Sequence, residues 1–91
     1  MDTLQQLRKK IDQIDSQIID LLAQRCSVVE DMKSYKKDLQ LSYLDEARWN
    51  EVLQSNIVQG KKKWLSEKFV TDIRERIHQE SLKIQQSKNS A

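Results

Sequence analysis

A single apolar stripe through roughly the first forty residues constrains the fold more than any other feature of the chain. Its members are spaced alternately three and four residues apart, and they are Leu4, Leu7, Ile11, Ile14, Ile18, Leu21, Arg25, Val28, Met32, Tyr35 and Leu39. This spacing predicts one α-helix of about ten turns. Because Arg25 takes a place where an unpaired buried charge would cost several kcal/mol, we expect an anionic group to meet it.

The composition favours an all-α fold. The 91 residues include no proline and one glycine, which leaves little turn chemistry for a sheet. We predict a single helical domain over residues 1–91. At this size a folded chain buries only about 60% of the surface that it exposes when unfolded, so help from a partner chain is expected.

Charge and hydropathy exclude several classes of function. The formal net charge is +2 and 33% of the residues are charged, so the surface is mixed and we expect no nucleic-acid partner. No run approaches the roughly 20 apolar residues of a membrane span, and the N-terminal residues lack the apolar region of a signal peptide. The sequence therefore predicts a cytoplasmic protein without a membrane partner.

The first helix is too long for one chain to cover. We predict that it begins after Thr3, a suitable N-cap, and ends at Asp38 or Leu39, before a polar connection that reaches Tyr43. At 1.5 Å per residue it would span about 50 Å, more than two shorter helices can cover. We therefore predict an intertwined homodimer in which the first helices of two protomers pair.

Two shorter helices are predicted in the rest of the chain. The second runs from about Leu44 to Gln59 and stops at Gly60, which is followed by a basic turn over 61–63. The third begins after Ser66 as N-cap and ends near Gln86, before a polar tail. The fold predicted from the sequence is thus three helices per chain, of which the first is much the longest.

Polar side chains occupy positions where a core residue is expected. Lys36 follows Arg25 by 11 residues, which returns it to nearly the same side of the helix about 16 Å along the axis. On the third helix, Ser81 and Gln85 continue the four-residue spacing of Ile77. Each also has an ordinary interpretation. Lys36 suits a lysine whose apolar stem lies along the helix surface while its charge stays in solvent. Ser81 suits a hydroxyl bonded to its own helix, and Gln85 suits an amide at the rim.

Three further charged residues complete this set. Asp45 and Arg48 lie one turn apart beside the apolar face of the second helix, where they also suit a surface ion pair. Arg8 precedes Arg25 by 17 residues, about 25 Å along a rigid helix, so the two cannot bind one small molecule within a chain. A functional Arg8 would have to come from the partner of an antiparallel dimer. The whole set offers cations and neutral donors, without a metal cluster or a nucleophile and base, and suits a small dianion.

The order and intervals of these residues resemble those of one known family. The matching segments are Leu7 to Asp15, Leu21 to Arg25, Lys36, Asp45 to Arg48, and Ile77 to Gln85. Together they resemble the all-helical chorismate mutase family over nearly the whole chain. The resemblance implies an entangled homodimer with two sites, no cofactor and no metal. It also implies an isomerase of the shikimate pathway of aromatic amino acid biosynthesis.

The resemblance also implies a role for each candidate residue. Arg8 from the other chain and Arg25 would bind the carboxylates of chorismate, and Arg48 would support this cationic wall. Ser81 would donate to the ring carboxylate, and Asp45 would lie near the ring hydroxyl. The remaining two, which would contact the ether oxygen whose bond breaks as prephenate forms, are Lys36 and Gln85.

One position departs from the family pattern. Many members have a glutamate directly after the arginine of the second helix, where it accepts from the substrate hydroxyl, and this chain has Trp49. We interpret Trp49 as a packing residue. Glu51 is a poor substitute, because two residues rotate it by about 200° to another face. The only histidine, His78, is interpreted as a packed or rim residue rather than as part of a site.

Two other functions stay open. One is isochorismate pyruvate lyase, which uses a similar pocket on the same fold. The other is a weakly active regulatory or dimerisation domain, fused to or associated with another enzyme of aromatic biosynthesis, and Trp49 is the residue that favours it. The sequence does not distinguish a free-standing protein from part of a bifunctional enzyme.

Overall fold

The computed structural model describes residues 3–39, 42 and 44–86, and these form three helices. Helix α1 covers Leu4–Asp38, α2 covers Glu46–Lys61 and α3 covers Glu67–Gln86. Residues 3–39, 42 and 44–86 contain no strand, and none of their helices has an apolar run long enough to cross a membrane. The predicted all-α class and the long first helix are confirmed. The predicted polar tail lies outside the described residues.

The N-terminus of α1 is a capping box, which confirms Thr3 as the N-cap. The hydroxyl of Thr3 accepts from the backbone N–H of Gln6 at 3.2 Å, and the side-chain oxygen of Gln6 accepts from the backbone N–H of Thr3 at 2.7 Å. These two bonds satisfy N–H groups that have no partner within the helix. The start of this helix is therefore determined locally.

The limits of α2 are shifted by two residues at each end from the approximate limits predicted from the sequence. The helix starts at Glu46 rather than Leu44, because Asp45 is the N-cap and its carboxylate accepts from the backbone N–H of Arg48 at 3.0 Å. At the other end the helix continues through Gly60 to Lys61. The interpretation of Asp45 and Arg48 as a side-chain ion pair is wrong, since Asp45 binds the backbone of Arg48.

Gly60 lies within α2 because α3 passes close to it. A Cβ at this position would lie 2.7 Å from Cγ2 of Val70 on α3, and both residues are buried. The φ angle of Gly60 is not positive, so a left-handed conformation is not the reason for the glycine. The predicted role as a helix stop is wrong, and close packing between two helices takes its place.

We expect the substitution Gly60→Ala to destabilise the protein by about 1–3 kcal/mol, the usual cost of overpacking a core. The sign of this change in the free energy of unfolding is informative, because Gly→Ala in a helix interior ordinarily stabilises a protein by about 1 kcal/mol. Urea unfolding of wild type, Gly60→Ala, Val70→Ala and the double variant, all at one protein concentration, measures the effect. A Gly60→Ala variant that is more stable than wild type would contradict the close contact with Val70. So would a double variant whose loss of stability equals the sum of the losses in Gly60→Ala and Val70→Ala.

A tight turn joins α2 to α3 and exposes one tryptophan. The backbone N–H groups of Lys63 and Leu65 both donate to the carbonyl of Gly60 at 2.9 Å. Trp64 between them has a φ of 67° and is 97% exposed. Ser66 then caps α3 as predicted, accepting from the backbone N–H of Phe69 at 3.2 Å.

Helix α3 lies between the other two. Both α1 and α2 pack against α3, whereas within the described residues α1 and α2 do not pack against each other. The buried apolar side chains are Val29, Ile57 and Val70, and no large side chain in the described part of the chain is completely buried. The arrangement leaves a gap between α1 and α2, with α3 as its floor.

The apolar stripe of α1 is largely exposed within one chain. Leu7, Ile11 and Leu21 are 45%, 55% and 62% exposed, respectively. Near the other end of the helix, Val29 and Lys33 are the buried residues, and the neighbouring stripe residues are exposed. The face of α1 that packs within the chain is therefore offset from the stripe.

Candidate active site

A cavity of about 370 Å³ occupies the gap between α1 and α2. Each helix contributes one face, with residues spaced three or four apart as expected for a single side of a helix. The lining residues are Arg25, Val29, Met32 and Lys36 of α1; Asp45 with Arg48, Trp49, Val52 and Asn56 of α2; and Arg74, His78, Ser81, Leu82 and Gln85 of α3.

Six of the seven candidate site residues line this cavity, and they come from all three helices. The exception is Arg8, which is exposed near the other end of α1. Its distance from the cavity along the helix is the one expected from its separation in sequence, about 25 Å from Arg25. Within a single chain Arg8 is therefore outside the site.

The cavity has an excess of positive charge. Its lining includes four cationic side chains and one carboxylate, that of Asp45. Asp45 is engaged in capping α2, and the guanidinium of Arg48 is 2.9 Å from the carboxylate of Glu51 on the exposed side of the helix. Glu51 does not line the cavity, which agrees with its predicted position on another face. This excess of cations over carboxylates in the lining favours an anionic ligand.

Among the described residues, Arg25 binds a hydroxyl group rather than an anion. Its guanidinium donates to Oγ of Ser81, and this hydroxyl donates to the backbone carbonyl of Ile77 at 3.0 Å. Because a serine has a single hydroxyl hydrogen, Ser81 in this arrangement is an acceptor toward Arg25 and has no hydrogen left for a ligand. Donation to a carboxylate, the role implied by the resemblance, requires rotation of the hydroxyl away from Ile77.

Gln85 is buried at the floor of the cavity. Its side chain is 5% exposed, and its amide nitrogen donates to the carbonyl of Ser81 at 3.3 Å. The amide oxygen is buried without a partner among the described residues. The alternative interpretation of Gln85 as a rim residue is wrong. An amide nitrogen carries two hydrogens, so one is available for a ligand.

The sequence interpretation missed Arg74 and underestimated His78. The rings of His78 and Trp49 are stacked, with centroids 4.1 Å apart and an interplanar angle of 12°. The guanidinium carbon of Arg74 lies 6.0 Å from the centre of the Trp49 ring, and its Nε is buried without a partner among the described residues. A signal was present in the sequence, because Arg74, His78, Ser81 and Gln85 follow the helical spacing of four, three and four.

Burial and neighbouring cations affect the pKa values of Arg74 and His78. Burial, followed by the charge of Arg25, lowers the pKa of Arg74. Burial also lowers the pKa of His78 below the usual value of 6.5, with Arg74 and Arg25 contributing in the same direction. His78 is therefore mainly in its neutral form at pH 7, which has one donor and one acceptor nitrogen.

Asp45 caps α2 as well as lining the cavity, and its variants should separate these roles. We expect Asp45→Ala to cost about 1 kcal/mol of stability, while Asp45→Asn costs only a few tenths, because asparagine caps as well as aspartate. Thermal unfolding measures both. Equal costs for the two variants would show that the capping bond to Arg48 contributes nothing. Asp45→Asn is thus the variant in which a change of activity reports on the carboxylate itself.

Comparison with known proteins gave one family match. The family model described as chorismate mutase type II matches residues 7–86, which include Arg8 and every residue that lines the cavity. No curated protein and no solved structure gave a match. Within the described residues, no cluster of histidine, cysteine, aspartate and glutamate is arranged to hold a metal ion.

Proposed function

The chain belongs to the chorismate mutase type II family, whose model covers most of its length, and we propose that it rearranges chorismate to prephenate in the cavity between α1 and α2. The family supports an isomerase activity in general. The observation that carries the specific proposal is that six residues predicted from the sequence line one cavity with excess positive charge. Chorismate is a dianion of a size that such a cavity accommodates.

This reaction requires no covalent catalyst. The enolpyruvyl group moves within one molecule, as a C–O bond breaks and a C–C bond forms in the same step. A protein accelerates such a step by holding the compact conformer of the substrate and by stabilising the negative charge that develops on the ether oxygen. The cavity has residues suited to both tasks.

In the proposed complex, the cations of the cavity bind the two carboxylates and fix the conformer. Arg25, positioned by its bond to Ser81, binds one carboxylate. Lys36 and the free N–H of Gln85 donate to the ether oxygen. Lys36 and Gln85 both line the cavity, and the burial of Gln85 strengthens its hydrogen bond because the local dielectric constant is low.

The complete enzyme is proposed to be a homodimer in which Arg8 of each chain enters the site of the other. Two features support this. The N-terminal half of α1 exposes a continuous apolar stripe within one chain. In addition, the accessible surface of the chain is 7827 Å², whereas a compact monomer of this mass would have about 5500 Å². Pairing of the α1 helices would bury this excess.

The test is to add the purified protein to chorismate and to quantify prephenate and pyruvate separately in the same reaction. Formation of prephenate without pyruvate is the expected result. Pyruvate as the main product would indicate isochorismate pyruvate lyase chemistry instead, to be checked with isochorismate. No turnover at all would contradict the proposal and favour a regulatory domain, with Trp49→Glu as the first variant to examine.

A further inference from the structure

Trp49, which stands where the family has a glutamate, contacts a second ring in the cavity. At position 49 the carboxylate that would accept from the substrate hydroxyl is missing, and an indole ring stacks on the imidazole of His78 instead. The centroid separation of 4.1 Å puts the imidazole directly against the side chain that has replaced the carboxylate. His78 is thus a polar group next to the position where an acceptor is missing.

The imidazole is available to a ligand. His78 lines the cavity, and neither of its ring nitrogens has a hydrogen-bond partner among the described residues. Stacking on Trp49 fixes the plane of the ring, so the acceptor nitrogen has a defined direction. In its neutral form the ring offers one lone pair, as a glutamate oxygen would.

We propose that His78 accepts the hydrogen bond of the substrate's ring hydroxyl and so takes the place of the absent glutamate. This inference rests on the proposed chorismate mutase function. The other polar residues of the cavity suit the role less well. The four cations have no lone pair to offer. Asp45 and Asn56 carry acceptor oxygens, but they lie one and two turns along α2 from position 49, and Asp45 is held by its capping bond to Arg48. The amide oxygen of Gln85 is buried with almost no accessible surface, and its free N–H serves the ether oxygen as a donor.

Two substitutions distinguish an acceptor from a mere stacking partner. His78→Phe keeps a ring against Trp49 and removes the acceptor, whereas His78→Gln keeps an acceptor and loses the stack. We expect His78→Phe to lower kcat/KM for chorismate about tenfold, as for the loss of one neutral hydrogen bond, and His78→Gln to lower it less than threefold. His78→Leu, which also lacks an acceptor, should match His78→Phe. Thermal unfolding shows that each variant is folded.

An analogue of chorismate in which hydrogen replaces the ring hydroxyl provides the second measurement. The wild type should prefer chorismate to this analogue about tenfold, and His78→Phe and His78→Leu should show no such preference. If the wild-type kcat/KM values for chorismate and for the analogue differ by less than a factor of two, the inference is overturned. This comparison needs only the wild type, so it holds even if no variant folds. An active His78→Phe with an impaired His78→Gln would also overturn it, because stacking alone would then explain His78. An inactive wild type would overturn the proposed function and this inference together.

Discussion

Replacing Lys36 by methionine is expected to lower kcat about a hundredfold to a thousandfold, the usual effect of losing one preorganised donor to a developing oxyanion. Methionine keeps the length and most of the volume of the side chain and removes its charge. Because the charge on the ether oxygen grows only as the bond breaks, KM should change much less than kcat. Steady-state kinetics with chorismate give both constants.

Lys37 provides the matched control for this substitution. It follows Lys36 on the last turn of α1, is exposed and does not line the cavity. Lys37→Met should therefore keep kcat within a factor of two, although it removes the same charge from the same turn of the helix. A Lys36→Met variant that retains more than a tenth of the wild-type kcat would show that Lys36 is not the donor to the ether oxygen.

Arg8→Ala and Arg25→Ala should each reduce kcat/KM by a hundredfold or more, since in the proposed complex each arginine binds a carboxylate of the substrate. If the two arginines of one site come from different chains, a mixture of the variants can restore activity. A mixed dimer contains one site with both arginines and one site with neither. Random exchange of chains should therefore restore about a quarter of the wild-type activity, because half of the dimers are mixed and each has one intact site.

The experiment requires unfolding and refolding the two variants together, with each variant alone taken through the same procedure as a control. Lys9→Ala, a neighbouring exposed cation on α1, should lose little activity. Failure of the mixture to exceed the separate variants, at a concentration where dimers form, would contradict donation of Arg8 across the interface. It would leave the role of Lys36 untouched, so the two predictions can fail independently.

The sequence predicted the helices and six of the residues that line the cavity, because both depend on helical spacing. The spacing identified three polar residues that interrupt apolar stripes, and all of them line the cavity: Arg25, Ser81 and Gln85. Arg74 was not recognised, and His78 was interpreted as a packed or rim residue, because both stand beside the stripe of Ile73 and Ile77 rather than within it. Only the packing of α3 between the other helices shows that this adjacent face is the one that forms the cavity.

The limits of α2 show what spacing alone does not determine. A glycine near the end of an apolar pattern usually stops a helix, and this expectation was wrong for Gly60 because Val70 packs against it from α3. A contact between two helices cannot be recognised from the residues that surround Gly60 in the sequence. Asp45 differs, since aspartate is a favoured N-cap and its role was available from local rules alone.

One of the two tryptophans is exposed to solvent and the other lines the cavity, so Trp49 can serve as an intrinsic fluorescent probe of the cavity. Trp64 is almost completely exposed on the turn after α2, whereas Trp49 stacks on His78 in the cavity wall. Emission from Trp64 is that of an indole in water and does not depend on the cavity. In a Trp64→Phe protein, tryptophan fluorescence excited where tyrosine does not absorb therefore comes from Trp49 alone. Titration with a non-reacting dianion then gives its dissociation constant without any attached dye.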